Sequence, residues 1–217
     1  MRPRAVWSAL LWLLLWVLLA VALPTVIPHG GPPDESSAET VHETAPVIVA
    51  PPLPAGEGFR PDRIRLPRLS IDAAVTPAGT TVAYDPFLGR AVDSFGVPDD
   101  MRSTTWWSEG PAPGSGGLAV ILGHTQIGGG YGVFNDIGTL GPGERIDVTG
   151  VDAAASFVVR EVVSGIDKRD PGNLSRVLSD HADTAGIALI TCGGLFDADR
   201  RASADNIVVI AERVGSA

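Results

Sequence analysis

The chain holds one cysteine and four histidines, and their settings differ sharply. Cys192 closes the apolar run Ile187-Ala188-Leu189-Ile190-Thr191 and is followed at once by Gly193-Gly194. A buried strand that breaks at two glycines delivers its sulfur to a turn where another molecule's backbone can come close. The thiolate is the nucleophilic form of cysteine, and a neighbouring histidine or cation favours it. His29 and His42 fall in a stretch of low complexity, and His181 follows Asp180 in a polar stretch, as surface histidines do. His124 stands just past Leu118-Ala119-Val120-Ile121-Leu122-Gly123, the same strand-to-turn setting as Cys192. The two together have the makings of a thiolate nucleophile and its acid–base partner, which is the chemistry of acyl transfer. The plainer account is that a lone cysteine packs as a small hydrophobe and a lone histidine serves the fold.

Acyl transfer also builds negative charge on a carbonyl oxygen, which a positioned cation or N–H stabilises. Arg200 and Arg201 follow the cysteine in Asp197-Ala198-Asp199-Arg200-Arg201-Ala202. Either one folded back over the thiol would serve, and either one paired with Asp197 or Asp199 in solvent would not. Trp106-Trp107, in a loop rich in proline and glycine, either line a substrate groove or cover a core edge. The run Gly128-Gly129-Gly130-Tyr131-Gly132 lacks the Lys-Ser/Thr of a phosphate-binding loop and reads as a flexible turn beside His124. No histidine, cysteine or acid spacing suits a metal, and the chemistry calls for no cofactor. A net charge of -9 supplies no basic face for nucleic acid.

The elements that must carry these groups are short. Leu118 to Leu122, Arg145 to Val148, Ser156 to Val163, Ile187 to Thr191 and Asn206 to Val214 are rich in valine and isoleucine and bounded by glycine, proline or aspartate. Ile64, Leu66, Leu69 and Ile71 make an extended pattern that Pro67 interrupts, as at an edge strand or bulge. Helical periods between the runs are mostly missing, and only Asn135 to Leu140 and Asn173 to Asp180 suit short helices. The pattern predicts a mostly-β barrel or sandwich with a few helical turns.

Ahead of this domain the chain begins Met1-Arg2-Pro3-Arg4 and then runs uncharged and apolar from Ala5 to Leu23. About nineteen residues at a helical rise just span a hydrocarbon core of roughly 30 Å. The length favours an uncleaved anchor with its basic end in the cytoplasm, against a cleaved signal whose Val21-Ala22-Leu23 site is a poor match. Three segments follow: a transmembrane anchor over 1–23, a disordered Pro-rich linker over 24–58 and a catalytic domain over 59–214, placed outside the cell membrane on a single-pass anchor. Exported segments ordinarily carry cysteines in pairs, so the single cysteine asks for a reason.

Thr191-Cys192-Gly193-Gly194-Leu195-Phe196-Asp197, then Asp205-Asn206-Ile207-Val208-Val209, with Gly123-His124-Thr125 and Trp106-Trp107-Ser108-Glu109-Gly110-Pro111 upstream, resemble a sortase. The resemblance is closest to the class F-like enzymes of actinobacteria and runs from about residue 63 to 211. It implies an eight-stranded β-barrel with short helices behind one N-terminal transmembrane helix, and a His-Cys-Arg site. It further implies cleavage of an LPXTG-like sorting signal between threonine and glycine. The thioacyl intermediate would pass to an amine of a cell-wall precursor or a pilin lysine. Carried over by position, Cys192 is the nucleophile and His124 its acid–base partner, with Thr191 and Trp107 as substrate-binding candidates. The family's arginine commonly stands just before the Asp-Asn pair, where this chain has Ala204. Arg201 is the nearest substitute and Arg200 the reserve. Ala204 keeps an inactive homologue open, a spectator Cys192 would leave a membrane-anchored binding module, and an L,D-transpeptidase would need a histidine close before the cysteine.

Overall fold

The short runs bounded by glycine, proline and aspartate become strands, and their alternating residues decide which side of the sheet each faces. The structure, a computed structural model, describes residues 58–126 and 130–215. In chain order the strands are β1 (Arg63–Leu66), β2 (Ile71–Ala78), β3 (Thr80–Asp85), β4 (Arg90–Phe95), β5 (Thr104–Trp107), β6 (Leu118–Gly123), β7 (Arg145–Thr149), β8 (Ala154–Asp167), β9 (Gly186–Asp197) and β10 (Ala202–Arg213), with one helix, α1 (Gly172–Asp180). Eight of them close a barrel in the order β1-β2-β5-β6-β9-β10-β8-β7, and β3 and β4 form a separate hairpin. The barrel is the one expected. Closing it pairs β7 with β1 and leaves no open edge.

Two neighbouring pairs, β2 with β5 and β6 with β9, run parallel, and the others are antiparallel. Along β6 and β9 the residues Ala119, Ile121, Ile187 and Leu189 face the barrel interior, where they meet Phe134, Phe157, Ile146 and Val209. Each of these valine, leucine, isoleucine and phenylalanine side chains taken fully out of water contributes about 1.5–3 kcal/mol. The alternate residues, Leu118, Val120, Leu122, Ala188 and Ile190, face outward and would be wet if nothing covered them. They are covered by α1, whose Leu174, Val177 and Leu178 fall on one helical face, and by Phe95 and Trp107.

Pro67 opens a 3-10 turn over Pro67–Leu69 between β1 and β2 rather than lying inside a strand, and Ser70 leaves it in the left-handed region at φ 54°. The expected helix over Asn135 to Leu140 is a 3-10 turn at Ile137–Thr139, whereas the one over Asn173 to Asp180 is α1. The hairpin β3–β4 and strand β5 were not anticipated. The apolar segment 1–23 and all but the last residue of the linker 24–58 lie outside the described residues. Among the described residues no helix is long and apolar enough to cross a membrane.

Candidate active site

Extending the outward alternation by one step beyond the core reaches the chemistry. On β9 the outward series Ala188, Ile190 continues to Cys192, and on β6 the series Val120, Leu122 continues to His124. The parallel register pairs Leu122 with Ile190. β6 ends at Gly123, and the residue that follows it, His124, reaches the same cavity as Cys192. On its other side Cys192 is opposite Asn206 of β10, and Asn206 is opposite Ile166 of β8. His124, Cys192 and Asn206 line one cavity of about 650 Å³ on the outside of the barrel. Its far walls are the β3–β4 hairpin, including Tyr84 and Phe87, and α1, including Leu174 and Leu178. Cys192 is exposed to it as a free thiol.

His124 is held from three directions. Its Nε2 donates to the carbonyl of Pro98 at 2.7 Å. A carbonyl can only accept, so Nε2 carries a proton and Nδ1 is the ring nitrogen left for the chemistry. The Pro98 segment is itself pinned to the barrel, because buried Thr105 donates its hydroxyl to the carbonyl of Gly96 at 2.6 Å. The His124 carbonyl accepts from the N–H of Phe134 at 2.9 Å, and Gly132 lies so close behind that a Cβ there would stand 2.2 Å from the same oxygen. The glycine-rich turn thus ends in a tight packing contact at Gly132. Residues 127–129 of that turn lie outside the described residues.

Thr191 is buried, and its hydroxyl donates to the carbonyl of Gly123 at 2.8 Å. That bond continues the β6–β9 connection one step beyond the last paired residues and fixes the peptide that leads into His124. Thr191 forms part of the cavity wall with its hydroxyl committed. The two tryptophans part by strand alternation. Trp106 turns to the core and donates Nε1 to the carbonyl of Pro111 at 3.0 Å. Trp107 lines the cavity, donates Nε1 to the Thr80 hydroxyl at 3.1 Å and meets Phe95 edge to face at 5.2 Å.

Neither Arg200 nor Arg201 is among the residues lining the cavity. Arg201 sits at the tip of the β9–β10 hairpin with φ 54°. Cys192 and Asp197, the last residue of β9, are separated by five strand steps, roughly 16 Å, which the arginine would have to fold back across. Arg200 binds Asp197 at 2.7 Å, and its guanidinium lies 5.7 Å from the centre of the Phe87 ring. The N–H and guanidinium of Arg200 hold the Asp197 carboxyl below the usual carboxylate range. The cation at the sulfur is Lys168, whose Nζ donates to Cys192 Sγ at 3.2 Å. Sequence reasoning missed it, since nothing in its spacing from Cys192 marks it out. His181 caps α1 and pairs with Glu161 at 2.9 Å, away from the cavity.

A family model described as Sortase domain matches residues 64–214. Among solved structures, sortase A from Corynebacterium diphtheriae superposes with a TM-score of 0.52 at 16% identity, over 74% of this chain and 63% of that one. A mutant sortase C-1 from S. pneumoniae gives 0.50 at 15%, over 72% and 66%. Sortase C-1 from Actinomyces oris gives 0.51 at 16%, over 71% of each chain. At these identities the likeness is one of fold, and the chain spans just under two thirds of the length of the first two. No curated protein sequence matches it.

Proposed function

The chain belongs to the sortase family, and we propose that it is a cysteine transpeptidase that cuts an LPXTG-like sorting signal between threonine and glycine and joins the new acyl end to an amine. The observation that carries this is the delivery of Cys192 and His124, by neighbouring parallel strands, to one cavity on the outer face of the barrel. In the first half-reaction the Cys192 thiolate attacks the threonine carbonyl carbon. The C–S bond forms and the carbonyl π pair moves to oxygen. When that oxyanion collapses, the C–N bond breaks and the leaving glycine amine takes a proton from protonated His124. In the second half the acceptor amine attacks the thioester, gives its proton to His124 and expels the Cys192 thiolate. The apolar cavity wall of Trp107, Phe95, Val97 and Leu122 suits the leucine and proline of such a signal.

The Thr191-Cys192-Gly193-Gly194 cluster with Asp205-Asn206 supports a place among class F-like sortases. The apolar 1–23 segment supports a single-pass anchor with the barrel outside the cell, the 24–58 linker as its tether, and a cell-wall precursor or pilin lysine as acceptor. The test is to incubate the full chain with a quenched LPXTG-type peptide and follow both cleavage and protein mass. A thioacyl adduct on wild type, absent from Cys192→Ala, is the expected result. No cleavage and no adduct across a panel of related motifs would overturn the reading. One observation favours an inactive homologue instead, namely Ala204 at the position where the resemblance implies the arginine.

A further inference from the structure

Thiolate chemistry at a carbonyl needs a cation or strong donor near the sulfur, and the arginines beyond β9 do not supply it. Arg200 is engaged by Asp197 and stacks on Phe87, and Arg169 is engaged by Asp167 at 3.2 Å and stacks on the same ring at 5.4 Å. Arg201 stands at the hairpin tip. We propose that Lys168 is the cation of this site, pairing with the Cys192 thiolate and then donating to the carbonyl oxygen that gains charge when the sulfur attacks. The second half of this statement rests on the transpeptidase reading, and the first does not.

The placement follows from the sheet. Ile166 of β8 is opposite Asn206, which is opposite Cys192. Lys168 lies two residues beyond Ile166 and so continues the same face. Its backbone N–H donates to the carbonyl of Ala204 at 3.0 Å, where the β9–β10 register shifts between Ser203 and Asp205. The sulfur lies two strand spacings away, about 9.6 Å at the backbone, a gap that a lysine stem bridges with its ammonium at the far end. Position 204 has only a methyl group, so the residue that would carry an arginine leaves that approach open. Asp167 holds Arg169, and Asp170 accepts from the N–H of Gly172 at 2.9 Å. Among the described residues, the side-chain partner of the Lys168 ammonium is Cys192 Sγ.

In the reaction the ammonium first balances the thiolate. As the C–S bond forms, the negative charge leaves sulfur for the carbonyl oxygen, and the same ammonium can follow it with one of its three N–H donors. No proton leaves Lys168 in either step. When the oxyanion collapses, the amine departs with the proton from His124, and the ammonium is left beside a neutral thioester. Expulsion of the sulfur by the acceptor amine restores the pair.

The test uses the full chain and two alkylating agents of like size and opposite demand, anionic iodoacetate and neutral iodoacetamide. A cation beside the thiolate speeds the anionic reagent relative to the neutral one, whatever the activity of the enzyme. Lys168→Met keeps the stem and removes the charge, so the iodoacetate-to-iodoacetamide rate ratio at Cys192 should fall by about fivefold or more. Lys168→Arg should hold it near wild type. With a cleavable sorting peptide, Lys168→Met should lose about 10²-fold in kcat with KM little changed, and Lys168→Arg should recover most of it. Melting curves for both variants report any loss of fold. An unchanged ratio in folded Lys168→Met overturns the cation–thiolate pair. A changed ratio with kcat within about threefold of wild type overturns the oxyanion role. A wild type that cleaves no peptide, yet whose ratio responds to Lys168, supports the pair and counts against the transpeptidase reading alone.

Discussion

Gly132 is the residue through which the fold can be made to misplace His124 without touching its ring. A Cβ built on Gly132 stands 2.2 Å from the His124 carbonyl oxygen, 2.4 Å from that of Thr125 and 2.5 Å from the His124 carbonyl carbon. An unforced C···O contact is about 3.3 Å or more, so Gly132→Ala requires the two segments to part by about 1 Å. The strain cannot be passed to a flexible side chain, because all three atoms are backbone. Nor can residues 132–134 simply withdraw, since the N–H of Phe134 donates to the His124 carbonyl and the Phe134 ring is fully buried. Overpacking of this kind costs about 1–3 kcal/mol, which in a domain of this size lowers Tm by roughly 3–10 °C. A displacement of about 1 Å in a proton-transfer group costs on the order of 10²-fold in rate. The assay is turnover of a quenched sorting peptide beside a thermal melt, with Gly141→Ala as control, since nothing lies within 4 Å of a Cβ at Gly141. The control should match wild type in both. If Gly132→Ala melts within a degree of wild type and turns over at its rate, the packing behind His124 does not position it and the argument fails.

Thr191→Val removes the hydroxyl that holds the Gly123 carbonyl at 2.8 Å and leaves that oxygen without its donor. The expected loss is about 1–3 kcal/mol of stability, with turnover falling further than Cys192 alkylation, and a melt unchanged from wild type would show the bond to be idle. Arg201→Ala, at the hairpin tip, should leave peptide turnover within about threefold, and a hundredfold loss would restore an arginine as the oxyanion donor. Acid should weaken the fold in a defined window. The Thr80 hydroxyl and N–H hold Glu109 below its ordinary range, and Arg63 and then Arg65 do the same for Asp72. A carboxyl with a depressed folded value favours the fold above its unfolded value and loses that contribution as pH falls through the folded one. Melting temperature should therefore be flat above about pH 5 and decline below about pH 4. Glu109→Gln should shrink the decline, and an equal slope in that variant would remove Glu109 from the account.

His124 is legible in the sequence because it follows directly on the apolar run of β6, and Cys192 because it closes the apolar half of β9. That strand does not break at Gly193 and Gly194 as expected but runs on to Asp197, so outward alternation rather than a strand end exposes the sulfur. The barrel is readable from runs such as Ile187 to Thr191, whose isoleucines and leucine are buried on both faces. The β3–β4 hairpin is not. It lies over the outside of the barrel, and Val82 and Tyr84 are exposed, so its sequence lacks the apolar period that marks a strand. Lys168 escaped notice for a different reason. It reaches the sulfur through the lateral order β8-β10-β9, and lateral order is not written in the spacing of residues along the chain. Arg200 and Arg201 are near Cys192 in sequence alone. The hairpin carries them away at one strand step per residue, while Lys168, far off along the chain, is brought back by pairing.

The same pairing explains why the chemistry tolerates little slippage. Leu122 against Ile190, Val208 against Ile190 and Asn206 against Cys192 are rungs of one continuous ladder. A shift of β9 by one residue would turn Cys192 into the barrel and Thr191 out to the cavity. It would also drive Ile190 inward and leave Leu189, now fully buried, under α1. The apolar residues on both faces resist that exchange, each by the free energy of its own burial. Cys192 and Asn206 are kept in line by the register that the core residues beneath them set, whereas His124, one residue past β6, is held by Pro98, Phe134 and the packing of Gly132. Lys168 lies one residue past the end of β8, as His124 does past β6, and its backbone N–H donates to the carbonyl of Ala204. The lysine's four-carbon stem has rotatable bonds that the other side chains of the row lack, which suits a group that must follow charge from sulfur to oxygen.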